Sequence, residues 1–381
     1  MQKQSKPFLM LLAGIVLLSG CTTPEKETTT LKDALDGQFL MGVAMNEGQI
    51  LGTDTVADKV ILEQFNSIVA ENCMKSENIQ PEEGKFDFAL ADKFIDFAEK
   101  NNMYTAGHVL IWHSQAPAWF FVDEQGNDVS REVLLERMKT HITTLVTRYK
   151  GRVNSWDVVN EAIEDDGSWR NSKFYQIIGQ DYIKYAFQFA HEADPDVELL
   201  YNDYSMAHKG RRDAVVAMVK ELQAANIRID GIGMQAHCLM DFPSIDEFEK
   251  SIDAFAATGL DIHITEMDLS ILPSPWNFTG ADVAANFNYD EYMNPYAESL
   301  PDSARIAQQQ RYMDFFHLFL KHKNQIKRVT MWGLSDADSW KNNWPIKGRT
   351  DFPLLFDRNY QPKEIVNEII KAAQTEKTKK L

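Results

Sequence analysis

From Gly37 onward, short apolar runs rich in β-branched and aromatic residues alternate with longer stretches whose apolar residues recur three and four positions apart. The short runs predict buried strands, and the longer stretches predict amphipathic helices. The predicted strands are Phe39–Met45, Ser67–Glu71, Tyr104–Ile111, Val153–Asn160, Val197–Asn202, Ile229–Gln235, Asp261–Glu266 and Arg328–Trp332. The predicted helices include Ala89–Asn101, Glu132–Tyr149, Asp181–Ala193, Arg211–Asn226, Ile245–Ala257, Arg305–His322 and Pro362–Ala373.

Eight strands alternating with helices predict an α/β fold, a single (β/α)8 TIM barrel. An open, doubly wound sheet is the alternative, but no Gly-x-Gly-x-x-Gly follows a strand, so its dinucleotide-binding version has no support. No linker rich in Pro, Gly or Ser divides residues 37–375, which predicts one domain over this range. Within it, about 270–303 is predicted to be an unusually long loop, and residues 376–381 are predicted to form a frayed tail.

Residues 1–21 have the order of a bacterial export signal. Two lysines precede an apolar run at 8–18, which is too short to span a bilayer. The ending Leu-Ser-Gly-Cys resembles a lipobox, which implies that residues 1–20 are removed and Cys21 is lipidated; an ordinary secretory signal is the alternative. Residues 21–36 predict a flexible tether. We therefore expect a lipid-anchored protein of the bacterial cell envelope, on the periplasmic or surface-facing side of the outer membrane.

The 381 residues include 39 Lys and Arg and 56 Asp and Glu, which gives a net charge of −17. This acidic balance argues against nucleic acid as a partner, because a phosphate backbone needs a basic surface. A neutral or uncharged polar substrate is compatible with this balance. Three cysteines are too few for a disulfide scaffold or a four-cysteine zinc site.

Polar and aromatic residues cluster at the carboxyl ends of the predicted strands. In a barrel these ends share one face, and that face holds the active site. Glu161 and Glu266 each end an apolar strand, the fourth and the seventh, which lie across the barrel mouth from one another. Two facing carboxylates are what glycoside hydrolysis requires, whereas ion pairing with a nearby Arg or Lys is the alternative for either glutamate alone. The pair in this setting predicts a glycoside hydrolase.

Eight segments between about residue 37 and residue 373 form a further pattern: AENCMKSENIQPEEGKFDF, GHVLIWHSQAPAW, WDVVNEAI, YNDY, GMQAH, ITEMDL, MWGLSDADSW and PLLFD. In sequence and in order they resemble the motifs of glycoside hydrolase family 10 endo-β-1,4-xylanases. The resemblance implies endo-acting hydrolysis of xylan with retention of anomeric configuration. It also implies that the protein needs no cofactor and no metal, that it works as a monomer, and that its partners are xylan and xylo-oligosaccharides.

The resemblance implies a role for each matched residue. Glu161 is the expected general acid/base and Glu266 the expected nucleophile, with carboxyl groups about 5–5.5 Å apart in a retaining enzyme. Asn160 is expected to hold the sugar 2-hydroxyl, while His237 and Asp268 are expected to orient the nucleophile and keep its pKa low. The expected substrate-binding residues are Glu71, Asn72, Lys75, His108, Trp112, Gln115, Gln235, Trp332 and Trp340.

Several residues allow two interpretations. Trp119 and Tyr204 are either sugar platforms or packing residues. His113 follows His108 at a spacing that could suggest a metal site, but no Asp or Cys completes a ligand set, so a hydrogen-bonded core histidine is favoured. The aromatic residues of the 270–303 loop either flank the aglycone side or pack the loop onto the barrel. They are Trp276, Phe278, Tyr289, Tyr292 and Tyr296.

Three other functions remain open at this stage. A related β-glycanase could act on cellulose or mannan, although Lys75, His108 and Trp332 favour xylan by resemblance. A glycan-binding lipoprotein without activity would be expected to lack one of the two carboxylates, and neither is missing. A metal-dependent hydrolase on the same barrel is the third. Cys73 and Cys238 fall near the barrel mouth; buried free thiols are the simpler interpretation, and a disulfide between them is the alternative.

Overall fold

The computed structural model describes residues 29–274, 286–288 and 290–378. The predicted export signal, including Cys21, lies outside the described residues, and so do Trp276, Phe278 and Tyr289 of the predicted loop.

Eight parallel strands form the centre of the molecule. They are β1 (Leu40–Met45), β2 (Ser67–Ala70), β3 (Tyr104–Gly107), β4 (Ser155–Asn160), β5 (Glu198–Asp203), β6 (Gly231–Met234), β7 (Asp261–Ser270) and β8 (Ile326–Met331). Each strand pairs with the next, and β8 pairs with both β7 and β1, with Val329 opposite Ile264 and Val43 opposite Met331. The sheet is therefore closed, which confirms the predicted barrel and excludes the open sheet.

Helices surround the barrel and connect its strands. They are α1 (Leu31–Leu35), α2 (Glu47–Ile50), α3 (Thr55–Gln64), α4 (Ser76–Ile79), α5 (Ala89–Lys100), α6 (Arg131–Arg148), α7 (Lys173–Ile178), α8 (Asp181–Ala193), α9 (Lys209–Ala224), α10 (Ile245–Ala256), α11 (Asp302–Lys321) and α12 (Glu364–Thr378). Serine side chains cap several of them; Ser130 accepts from the backbone N–H of Val133 at the start of α6. Across the described residues, no helix is both long and apolar enough to cross a membrane.

Strand seven is longer than its pattern predicted. The prediction ended it at Glu266, but β7 continues to Ser270 because its carboxyl half pairs with an additional short strand at His237–Leu239. In that pairing, His237 lies opposite Asp268. The third predicted strand is divided instead: β3 ends at Gly107, and Ile111–Trp112 pairs separately with β4.

Two predicted boundaries differ from the structure. The last part of the predicted tether forms α1, because Leu31, Ala34 and Leu35 are spaced to face the core and are fully buried there. The first three residues of the predicted tail, 376–378, belong to α12, which continues to Thr378, and residues 379–381 lie outside the described residues. The two ends of the barrel domain meet, since Lys377 Nζ donates to the carbonyl of Asp33 at 3.0 Å.

A polar cluster closes the amino-terminal end of the barrel. Glu198 accepts hydrogen bonds from Tyr104 at 2.7 Å and from His263 at 3.3 Å. The buried Arg328 guanidinium lies 5.5 Å from the centre of the Tyr104 ring. Because these groups are paired with one another, the base of the barrel is a packed floor, and the open side chains lie at the opposite, carboxyl end.

Candidate active site

One pocket at the carboxyl end of the barrel collects side chains from six strands and the loops that follow them. It is lined by Glu71, Asn72, Lys75, His108, Trp112, Gln115, Asn160, Glu161, Gln235, His237, Glu266, Trp332 and Trp340. These are all the substrate-binding and catalytic residues predicted from the sequence except Asp268, which is fully buried behind the pocket wall. The barrel thus brings the predicted set together, while the role of each member stays a prediction.

Glu161 directly follows β4, at a point where the chain turns sharply. Its φ of 59° lies in the left-handed region, which is uncommon for a residue other than glycine. The turn is held on both sides, because the Glu161 N–H donates to the carbonyl of Asn202 and its own carbonyl accepts from Arg170 Nε, both at 2.9 Å. Strained backbone that is fixed in this way is typical of functional sites.

The Glu161 carboxyl is buried and accepts three hydrogen bonds. Trp112 Nε1 donates to Oε2 at 2.8 Å, and Gln235 Nε2 and Asn160 Nδ2 donate to Oε1 at 3.0 and 3.1 Å. Burial raises the pKa of Glu161 to about 7, and the charge of Asp203 adds to the rise, while the hydrogen bonds from Gln235 and Trp112 oppose it. Glu161 therefore carries a proton over much of the range below neutrality and can donate it.

The Glu266 carboxyl is buried as well, but its pKa moves in the opposite direction. Burial alone would raise it, yet the hydrogen bond from His237 and the charges of His108 and His237 outweigh burial and lower the pKa of Glu266. Asn202 Nδ2 donates to Oε1 at 2.7 Å, and His237 Nε2 lies 3.2 Å from Oε2. The second carboxylate is thus held ionised and fixed at both oxygens.

Asp268 fixes His237 from behind. His237 Nδ1 lies 2.9 Å from Asp268 Oδ2, and Trp340 Nε1 donates to the same oxygen at 2.8 Å. Burial lowers the pKa of His237, but the attraction of Asp268 and the hydrogen bonds to both carboxylates raise it overall. The imidazole is therefore oriented toward Glu266 and favoured in its charged form.

Asn202 is a site residue to which the sequence assigned no role. Its Nδ2 donates to Glu266 and, at 3.0 Å, to Asn160 Oδ1, while its Oδ1 accepts from Thr265 at 2.6 Å. Asn202 thereby links the two carboxylates through Asn160. The YNDY segment was the available signal, but an asparagine at a strand end gains meaning only from the register that places Asn160 opposite Asn202.

The side of the pocket formed by β2 and β3 combines polar groups with aromatic rings. Lys75 Nζ donates to Asn72 Oδ1 at 2.9 Å and to Gln115 Oε1 at 3.0 Å, and it lies 5.0 Å from the centre of the Trp112 ring. His108 is fixed by Asp157 at 2.8 Å, and its ring meets Trp332 edge to face at 5.3 Å. Planar polar groups beside apolar ring faces suit sugar rings, which offer hydroxyls and C–H faces together.

Trp119 and Tyr204, which the sequence left as either sugar platforms or packing residues, both make packing contacts. Trp119 packs: its indole N–H donates to the carbonyl of Gln80, and its ring stacks on Phe120 at 4.1 Å. Tyr204 is also buried by packing, with its hydroxyl accepting from Arg170 at 2.6 Å and its ring 4.2 Å from the Arg211 guanidinium.

The structure also places His113 and the two cysteines, the residues for which metal binding or thiol chemistry was considered. His113 Nδ1 lies 3.9 Å from Glu161 Oε2, beside the carboxyl pair. Cys73 and Cys238 are buried free thiols, as predicted, and burial raises the pKa of Cys73 to about 12. Within the part of the chain that the structure describes, no group of three or more His, Cys, Asp or Glu is arranged to hold a metal ion.

Only part of the long loop after β7 is described. Tyr292 is 58% exposed and Tyr296 is partly exposed. The backbone N–H of Phe287 donates to the carbonyl of Pro345 at 3.0 Å, which attaches this loop to the loop after β8 that carries Trp340.

Comparison with known proteins gives one consistent result. Residues 30–372 match the family model described as glycosyl hydrolase family 10. An endo-1,4-beta-xylanase A of Xylanibacter ruminicola is 49% identical over 358 residues, which cover 94% of this chain and 97% of that protein. An endo-1,4-beta-xylanase of Geobacillus stearothermophilus is 40% identical over 88% of this chain and 96% of its own length.

Solved structures agree with these relatives. A GH10 endoxylanase retrieved from a sugarcane soil metagenome superposes with a TM-score of 0.86 at 42% identity, covering 91% of this chain and 99% of that one. Xylanase XynB from Paenibacillus barcinonensis, in complex with a conduramine derivative, superposes with a TM-score of 0.81 at 36% identity, over 91% of this chain and 99% of that one.

Proposed function

The chain belongs to glycosyl hydrolase family 10, and we propose that it hydrolyses internal β-1,4-xylosidic linkages of xylan with retention of anomeric configuration. One observation carries the proposal: two buried carboxyls in one pocket have pKa values moved in opposite directions, with that of Glu161 raised and that of Glu266 lowered. Two carboxyls with pKa values shifted apart in this way supply a proton donor and an anionic nucleophile at the same pH.

In the first step, a carboxylate oxygen of Glu266 attacks C1 of the sugar. The bond between C1 and the glycosidic oxygen breaks, and the Glu161 proton moves to that oxygen, so that the aglycone leaves as an alcohol. Asn202 and His237 hold Glu266 at both oxygens, which limits the motion it needs to reach C1. The product of this step is an ester between the sugar and Glu266.

In the second step, Glu161 acts as a base. It takes a proton from water, the water oxygen attacks C1, and the bond to Glu266 breaks with its electrons returning to the carboxylate. The negative charge of Glu266 contributes to the raised pKa of Glu161, so loss of that charge in the ester lowers the pKa again. The same residue therefore becomes a better base when the reaction requires one.

The shape of the cleft supports attack within a chain. A second, larger open pocket shares Glu71 and Asn72 with the catalytic pocket and continues past the ends of β1 and β2. Asn46, Asn78 and Asp87 line its rim. Sugar units beyond those in the catalytic pocket thus have polar partners and open space on this side, which is one of the two sides that internal cleavage of a polymer uses. Xylan is proposed as that polymer because the relatives named above are xylanases.

The substrate is tested by comparing initial rates on linear xylan, mannan and carboxymethylcellulose at equal mass. We expect a rate on xylan at least about a hundredfold above the other two, because the pocket wall must exclude or misplace the extra hydroxymethyl group of a hexose. Short oligosaccharides should appear from the start, before xylose. Equal rates on the three polymers would contradict the assignment to xylan, and release of xylose alone would contradict internal cleavage.

We also propose that Cys21 carries lipid and holds the enzyme at the cell envelope. The order of charged, apolar and small residues over 1–21 supports this proposal. Cys21→Ser should move the protein from the membrane fraction to the soluble fraction of the expressing bacterium, and it should remove labelling by a palmitate analogue. Activity per mole should not change, because the barrel begins after this segment. Equal membrane association of both forms would contradict the proposal.

A further inference from the structure

A buried lysine lies behind the nucleophile, in the loop after β8. The side chain of Lys341 is 6% exposed, and its Nζ lies 3.8 Å from Asp268 Oδ1. The ammonium is 4.5 and 4.6 Å from the ring centres of Trp340 and Trp344, which are stacked on each other with centres 4.3 Å apart. Two aromatic rings and one carboxylate thus hold this cation in place.

The two oxygens of Asp268 have different surroundings. Oδ2 accepts from His237 Nδ1 and Trp340 Nε1. Oδ1 is buried and makes no hydrogen bond to any of the described residues. A fully buried carboxylate with an oxygen that accepts no hydrogen bond is costly to keep ionised unless a positive charge is near. Lys341 supplies that charge on the side of Oδ1.

The charge of Asp268 matters because His237 connects it to the nucleophile. Both ring nitrogens of His237 face carboxylate oxygens, at 2.9 Å from Asp268 and 3.2 Å from Glu266. When both carboxyls are ionised, both contacts are hydrogen bonds at the same time only if the ring carries two protons. Glu266, His237, Asp268 and Lys341 then form a row of alternating charges whose sum is zero.

We propose that Lys341 is a positioning residue of the reaction: it holds Asp268 ionised, Asp268 fixes His237 as a donor to Glu266, and Glu266 therefore stays an anion at acid pH. The inference rests on the proposed function of Glu266 as nucleophile. Lys341 itself does not line the catalytic pocket. Its effect is expected on the ionisation of the nucleophile and not on contact with the sugar.

Other charged groups around the row must be considered in any pH dependence. Lys341 also acts on Asp351, which accepts from Ser270 and faces Arg349. Other described groups that interact with members of the row include Glu161, Lys75, His108, Tyr312 and Cys238. Burial raises the pKa values of Tyr312, Cys238 and Cys73, so these groups stay neutral over the acid range tested.

The test uses a substrate whose reaction with the nucleophile needs no proton. In 2,4-dinitrophenyl 2-deoxy-2-fluoro-β-xylobioside, Glu266 bonds to C1 and dinitrophenolate leaves unprotonated, while the fluorine slows the second step so that the ester accumulates. The inactivation rate against pH therefore reports the ionisation of the nucleophile. For Lys341→Met we expect the acid midpoint to rise by about half a unit or more. The removed charge had lowered the pKa of Asp268 and favoured the anionic forms of Asp268 and Glu266, which outweighs the repulsion by which Lys341 lowers the pKa of His237.

Matched variants isolate the charge. Lys341→Arg keeps the charge and should keep the wild-type midpoint within about 0.2 unit. Lys347→Met removes a lysine that is exposed in the same loop and should also leave the midpoint unchanged. Lys341→Gln serves as a second neutral variant and should behave like Lys341→Met. Intact mass confirms a single label in each case, and thermal unfolding confirms that each variant is folded.

Three outcomes would overturn the inference. The acid midpoint of the folded neutral variants could equal that of the wild type, or Lys341→Arg could move as far as Lys341→Met. Both neutral variants could also fail to fold, which would assign Lys341 a structural role. None of these results affects the proposed function, because the wild type would still be labelled at Glu266. Absence of labelling in the wild type would instead contradict the proposed function.

Discussion

Replacing Glu266 with alanine should lower kcat on xylan by at least about 10⁴-fold, because the variant lacks the proposed nucleophile. Azide should restore part of the activity on an aryl xylobioside. The small anion enters the space left by the carboxylate and attacks from the same face, so the product is the α-xylobiosyl azide. Proton NMR of the product measures this configuration directly.

The configuration is the decisive part of this measurement. An α-azide identifies position 266 as the nucleophile, whereas a β-azide would assign the position to the acid/base and reverse the proposed roles. Glu124→Ala is the matched control, since Glu124 lies exposed in a loop outside the pocket and should keep wild-type activity. Wild-type rates in Glu266→Ala would contradict the proposal outright.

The second large effect is expected at Glu161. Glu161→Ala should lower kcat on xylan by about 10²–10⁴-fold, the usual contribution of a general acid and base. The ester should still form rapidly from a dinitrophenyl xylobioside, whose leaving group needs no proton, and it should then accumulate because the base is missing. A burst of dinitrophenolate followed by slow turnover checks this expectation, and azide should accelerate turnover and give the β-xylobiosyl azide.

The pH profile separates the two carboxyls in the wild type and in this variant. Glu161 must be protonated to act, and its raised pKa of about 7 places the basic limb of kcat/KM near that value, with activity falling as pH rises through it. Glu266 must be ionised, so the acid limb lies below the ordinary pKa of a glutamic acid. Glu161→Ala should lose the basic limb and keep the acid limb. Persistence of the basic limb would assign it to another group.

The barrel was predictable because its evidence is repeated along the chain. Eight apolar runs separated by amphipathic stretches give the same topology even where single boundaries are wrong, as at the carboxyl end of β7. The pocket was predictable for a related reason: in a parallel barrel every strand ends on the same face. Because Glu161 and Glu266 lie at the ends of the fourth and seventh strands, both had to lie at the carboxyl end of the barrel.

Features that depend on contacts between distant segments could not be predicted. Asn202 acquires its place from register with Asn160 across β4 and β5. Lys341 lies in a loop without periodicity, 73 positions after Asp268 in the chain, and nothing local distinguishes it from the exposed Lys347. The five residues of α1 are too short to stand out beside the polar stretch before them, and they form a helix because the barrel offers their leucines a place to be buried.

The meeting of α1 and α12 has a consequence for orientation. α1 leads directly into β1, so the chain enters the barrel at its amino-terminal base, opposite the catalytic pocket. Thr29 follows Cys21 by eight positions, a distance of at most about 28 Å. With lipid at Cys21, this short connecting segment would keep the amino-terminal base of the barrel near the membrane. The catalytic pocket would then face away from the membrane. The enzyme would then sample polymer arriving from the surrounding medium and have poor access to glycan lying on the membrane itself.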